Sequence, residues 1–179
     1  MISNKKKDTS NAAILKRVKV NPEVAVIMGS KSDWTIMKEA TFILKKFNVN
    51  FITKIISAHR TPQLMCDFAK NAEKKEIKII IAGAGGSAHL PGMVASMTIL
   101  PVLGVPIPTS FNSGLDSLLS IVQMPKGIPV STFAVGKSGA INAALNAISI
   151  LALNDSALKK SLTKYREDLS NSVLRMKIT

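Results

Sequence analysis

His59 and Arg60 stand side by side in the segment Ser57-Ala58-His59-Arg60-Thr61-Pro62. Histidine titrates near neutrality and can both give and take a proton, while the planar fork of arginine holds a phosphate or carboxylate through paired hydrogen bonds. Two other segments carry related capacity. Gly29-Ser30-Lys31-Ser32-Asp33 offers backbone amides, two hydroxyls and the positive end of a helix dipole, the outline of an anion site or of a simple capping turn. The Asp33 carboxylate would repel a phosphate if it pointed inward, so it accepts from sugar hydroxyls or caps the helix. Residues 82–92 contain Ala84, Gly85 and Gly86 followed by His89 and Leu90. Glycines there permit close backbone approach by a flat ligand, or simply a tight turn. His89 either caps the next helix or bonds a ligand. Two histidines with the single Cys66 make no zinc spacing. The glycine spacing of a phosphate loop or dinucleotide fingerprint is absent, as is a Gly-x-Ser-x-Gly elbow.

Each of the three segments follows an apolar run and opens into a helical pattern, which places all three at the carboxyl edge of a parallel sheet, where ligands bind in α/β folds. The runs at 24–28, 51–56 and 77–82 read as strands, the first buried on both faces. Further strands are expected at 101–104 and 128–134. Ile36, Ala40, Ile43 and Phe47 recur at helical spacing, with Ser32 or Asp33 as cap. Thr61-Pro62 opens a second helix running to about residue 75: the threonine hydroxyl accepts from an early amide, and proline suits the first helical position. Short helices are expected at 91–96 and 114–122. The segment 137–153 is apolar nearly all round, so it should be buried on most sides. In so small a domain a second subunit is the simplest cover, and a homo-oligomer is expected. The last helix carries Leu158, Leu162, Tyr165, Leu169 and Val173 on one face, able to dock on its own core or on a neighbour's.

The chain has 179 residues, 46% of them hydrophobic, enough for one sizeable core and too few for two ordinary domains. We divide it into a basic extension at 1–22, expected to be disordered, a catalytic α/β domain at 23–155, and a terminal helix and tail at 156–179. No apolar run approaches the roughly 20 residues that span a bilayer, so a soluble protein is expected. Cys66 reads as a passive core thiol in a reducing, cytoplasmic compartment. The net charge of +13 invites a nucleic-acid reading, but much of it is terminal. Residues 1–20 hold six Lys or Arg against Asp8, and residues 155–179 hold six against three acids. Without interleaved aromatics these segments read as solvated surface, and no nucleic-acid partner is expected. Residues 1–20 also lack the apolar stretch of a secretory signal, although a basic organelle-targeting peptide stays open.

Taken together, the three segments resemble the 5-(carboxyamino)imidazole ribonucleotide mutase family of purine biosynthesis, also described as the catalytic subunit of phosphoribosylaminoimidazole carboxylase. The resemblance runs from about residue 23 to 170. It is carried by Met-Gly-Ser-Lys-Ser-Asp-Trp at 28–34, Ser-Ala-His-Arg-Thr-Pro at 57–62, Ala-Gly-Ala-Gly-Gly at 82–86, Ala-His-Leu-Pro-Gly-Met at 88–93, Pro-Val-Leu-Gly-Val-Pro at 101–106 and Ser-Ile-Val-Gln-Met-Pro at 120–125. It implies a flavodoxin-like three-layer α/β/α fold with a central parallel sheet, an octamer, and movement of a carboxylate from the exocyclic nitrogen to ring carbon 4 of a ribonucleotide, with no ATP, metal or organic cofactor. Under the resemblance His59 is the proton shuttle and Ser57 orients the carboxylate. Ser30, Ser32 and Arg60 hold the 5′-phosphate, Asp33 holds the ribose, and Ala84, Gly85, Gly86, His89 and Leu90 close over the base. Ser87 stands where many members have alanine, and 109–112 is a variable loop. The alternatives are direct carboxylation of aminoimidazole ribonucleotide by carbon dioxide, and a nucleotide-binding module without catalysis.

Overall fold

The computed structural model describes residues 21–178; the extension expected at 1–22 lies almost wholly outside them. Five strands, β1 (Val24–Met28), β2 (Phe51–Ile55), β3 (Ile79–Ala84), β4 (Val102–Pro106) and β5 (Ser131–Thr132), form one sheet in the order β2-β1-β3-β4-β5, with every pair parallel. Six α-helices complete the fold: α1 (Trp34–Lys46), α2 (Pro62–Asn71), α3 (Leu90–Ala95), α4 (Leu115–Val122), α5 (Lys137–Leu151) and α6 (Ser156–Leu174). This is the three-layer architecture expected from the sequence.

Side chains alternate across a strand, so β1 feeds two cores. Val24, Val26 and Met28 pack with α1, α5 and α6, whereas Ala25 and Ile27 pack with α2, α3 and α4. Burial on both faces explains why the central strands read as unbroken apolar runs rather than alternating ones. Each fully buried Val or Ile contributes about 1.5–3 kcal/mol relative to exposure.

Three expectations about the elements need correction. The third strand starts two residues later than read and extends through Gly83 and Ala84, which pair with Met28 and Pro106. A Cβ on Gly83 would overlap the buried Met37 side chain, so its glycine serves close packing of α1. The fifth strand shrinks to two residues, because it pairs only with β4 at the sheet edge and Pro129 has no N–H for a ladder. The helix α5 is covered largely by its own chain. Ala140, Ala143, Ala144, Ala147 and Ile148 are buried against α1, β4 and α6, and its exposed positions between 140 and 150 are Asn142 and Asn146, with Ile141, Leu145 and Ile150 half-buried. The apolar helix therefore does not itself require a second subunit.

Candidate active site

The chain runs from β1 outward to β2, then returns across β1 to β3. The carboxyl ends of β1 and β3 thus sit where the connections depart in opposite directions, the place such sheets leave a crevice. A cleft of about 560 Å³ opens there. All three segments singled out in the sequence reach it.

The first turn leaves β1 at Gly29. Ser30 caps a short 3₁₀ turn, Lys31–Asp33: its Oγ accepts from Ser32 N at 3.4 Å, while Asp33 Oδ2 accepts from Ser30 N at 3.0 Å. The reciprocal pair satisfies two amides at once. Ser30 thus caps the 3₁₀ turn, with Asp33 as its partner; of the two caps the sequence suggested for α1, Asp33 occupies the cap position and Ser32 lies within the 3₁₀ turn. Asp33 stays at the head of α1 without a side-chain cap bond to it. Burial pushes the Asp33 carboxyl above its usual range, against the lowering effect of its bonds to Ser32 and Ser30 and of the Arg60 charge.

The second segment follows β2. Thr61 Oγ1 donates to Ser57 O and accepts from Ser57 N, both at 3.0 Å. It closes the 57–61 turn and makes no cap bond to α2, contrary to expectation; Pro62 does open the helix. Arg60 is fixed at both ends of its guanidinium. Nε donates to Ser57 Oγ at 3.2 Å and Nη2 to Gly29 O at 2.8 Å, so one side chain ties the second turn to the first. The other guanidinium N–H groups have no protein acceptor among the described residues. They can hold an anion in the cleft.

The third segment, after β3, brings His89 to His59. Nε2 of His59 lies 2.8 Å from Nδ1 of His89, with the rings edge to face at 4.9 Å. One nitrogen must donate and the other accept, so a proton held by His59 has an adjoining site to move to or be steadied by. His89 makes no side-chain cap bond to α3, which removes the capping reading. Ala84, Gly85, Gly86 and Leu90 line the same cleft, as do Ser30, Ser32, Asp33, Ser57 and Arg60.

The sequence reading missed a fourth wall. Ile107, Pro108 and Thr109 line the cleft from the loop after β4, because β4 lies beside β3 and ends at the same edge. The signal was available: a strand ending near 106 must deliver its following residues to the ligand edge. Ser87, the residue that departs from the usual alanine, also faces the cleft. Thr109 Oγ1 donates to Asp116 Oδ1 at 2.7 Å, which is the main reason the Asp116 carboxyl sits below its usual range.

A family model described as AIR carboxylase matches residues 23–172. The chain belongs to the AIR carboxylase family. Within that family, the protein named N5-carboxyaminoimidazole ribonucleotide mutase from Saccharolobus solfataricus is 58% identical over 157 residues, 88% of this chain and 98% of the relative. The protein of the same name from Haemophilus influenzae is 58% identical over 152 residues, 85% of this chain and 93% of the relative. A solved structure, Treponema denticola PurE, superposes with a TM-score of 0.78 at 29% identity, covering 86% of this chain and 94% of the other. The AIR carboxylase fold thus accounts for the sheet order.

Proposed function

We propose that this chain is an N5-carboxyaminoimidazole ribonucleotide mutase of purine biosynthesis, an isomerase that converts its substrate to 4-carboxy-5-aminoimidazole ribonucleotide. The observation that carries the reading is 58% identity to a protein of that name along 88% of this chain. The cleft supplies the means. Arg60, with Ser30 and Ser32, holds the 5′-phosphate through charge-assisted bonds. Asp33 accepts from the ribose, and Ser57 orients the migrating carboxylate.

The reaction then proceeds in two steps. The exocyclic N–C bond breaks, carbon dioxide leaves, and His59 protonates the nitrogen. Ring carbon 4 attacks the held carbon dioxide, a C–C bond forms, and His59 takes the proton from that carbon. A group that titrates near neutrality serves both directions, and His89 steadies the ring through their 2.8 Å contact. Ala84, Gly85, Gly86 and Leu90 close over the base and keep carbon dioxide from water. No organic cofactor or metal enters the scheme. The enzyme works as a homo-oligomer, an octamer, in the cytoplasm.

A spectrophotometric assay offering either ribonucleotide, with and without excess bicarbonate, tests the reading. Mutase activity converts N5-carboxyaminoimidazole ribonucleotide without bicarbonate. The alternative suggested by the family description, direct carboxylation, converts aminoimidazole ribonucleotide in proportion to bicarbonate and leaves the carboxyamino compound untouched. His59→Asn should lower turnover at least about 100-fold while retaining ligand binding by calorimetry; near-normal turnover overturns the assigned mechanism, and no turnover of either substrate by the unaltered chain leaves a binding module.

A further inference from the structure

Ser117 is fully buried, and it is one of only two polar side chains buried among the described residues. It lies in the first turn of α4, outside the cleft. Its Oγ donates to Ile107 O at 2.7 Å and accepts from Gly86 N at 2.9 Å. One hydroxyl thereby joins the loop after β3 to the end of β4. The next turn of α4 adds a second attachment: Ser120 Oγ lies 3.2 Å from Gly86 O and 2.7 Å from Asp116 O. Both polar backbone groups of Gly86 are thus engaged by α4. Asp116 meanwhile holds Thr109, so the same two turns of helix grip two walls of the cleft.

The consequence follows from where Gly86 sits. Its φ of +67° and the open space around it leave the residue without steric restraint, and its neighbours Gly85, Ser87 and His89 are exposed. Short of the buried Ala88, whose N–H donates back to Gly86 O at 2.8 Å, these bonds to α4 are what tie Gly86 to the rest of the fold, in a loop whose far end sets His89 at 2.8 Å from His59. We propose that Ser117 is a positioning residue: through Gly86 it holds the glycine loop, and hence His89, at the distance the His59 proton transfers need. A buried hydroxyl with both functions used is costly to remove, since Gly86 N–H and Ile107 C=O are left without it. The effect on turnover exceeds the effect on folding, because a displacement of about 1 Å at a reacting group costs on the order of 100-fold in rate.

The inference rests on the mutase reading for its kinetic arm, so the test includes an arm that does not. Ser117→Ala, Ser117→Thr and the control Thr41→Ala, the other buried hydroxyl, which donates to Lys38 O on α1, are prepared as full chains. Amide hydrogen exchange is read by mass spectrometry. Ser117→Ala should speed exchange across residues 85–90 at least about tenfold while the strands and α1 keep their protection, and Ser117→Thr should restore it. In the mutase assay Ser117→Ala should lower kcat on the order of 10- to 100-fold with KM within about threefold, and Thr41→Ala should leave kcat unchanged. Unaltered exchange at 85–90 in Ser117→Ala overturns the clamp whatever the enzyme's activity. Faster exchange with unchanged kcat overturns its role in positioning His89. If the unaltered chain turns over neither substrate while Ser117→Ala loosens the loop, the mutase reading fails and the clamp stands.

Discussion

At the scale of single residues, the two carboxylates near the cleft are poised in opposite senses. Asp33 is raised by burial, so its ionised form is penalised in the folded protein. A carboxyl raised above its unfolded value stabilises fully below about pH 3.8 and loses that contribution as pH rises through the folded value. The ionised form of Asp33 is therefore held at a cost to stability, in keeping with the ribose-binding role proposed for it. Asp116 is lowered chiefly by the Thr109 hydroxyl; its contribution is present above about pH 3.8 and fades as pH falls through the depressed value. Asp33→Asn keeps an acceptor for Ser30 N–H and should raise Tm at pH 7 by at most about 4 °C, with the gain shrinking toward pH 4, while affinity for ribonucleotide falls. A pH series of calorimetric melts reads the first effect and titration calorimetry the second. A Tm that drops equally at pH 7 and pH 4 contradicts the assignment of burial as the dominant cause.

At the scale of elements, the parallel sheet was legible because its central strands are buried on both faces and read as apolar runs, and because each motif follows a strand. What was not legible depended on contacts between distant segments. Nothing local to Gly83 says that Met37 from α1 lies against it or that Met28 and Val105 pair with it to extend the strand, and the role of Thr61 as a clasp on Ser57 competes with an equally ordinary capping role. The His59–His89 pair likewise arises from two loops that only the fold brings together. Gly139 shows the same limit and gives a test. As a glycine within α5, in its first turn, it would be expected to gain up to about 1 kcal/mol on replacement by alanine. In the fold, however, a Cβ there would overlap the backbone carbonyl of Ala134, and backbone cannot give way as a flexible side chain can. The steric effect wins. Gly139→Ala should lose about 3 kcal/mol, toward the upper end for overpacking, and lower Tm by roughly 10 °C. A variant that melts higher than the parent would show that the start of α5 moves freely off the β5 segment.

At the scale of the whole molecule, the case for assembly moves from α5 to surfaces that remain uncovered. Tyr165 docks α6 on the end of α1, edge to face with Phe47 at 5.4 Å and beneath the Lys46 ammonium at 4.6 Å. Beyond it α6 continues without cover: Val173 is 62% exposed and Leu174 80%, and Leu169 and Phe42 are also exposed. No helix among the described residues is long and apolar enough to cross a membrane. Isolated exposed apolar side chains are ordinary, but a row along one helix end marks an interaction site, and a second copy of the chain is the partner consistent with the proposed octamer. Light scattering should then give eight times the 19.2 kDa protomer mass. The double variant Leu169→Glu with Val173→Glu adds charge only at exposed positions, so its far-ultraviolet circular dichroism should match the parent while the mass falls to a smaller species. An unchanged mass places the interface elsewhere, with Ile55 of the edge strand β2 and the neighbouring Trp34 at the start of α1 as the next surface to charge. A parent that runs as a monomer removes the octamer from the proposal altogether.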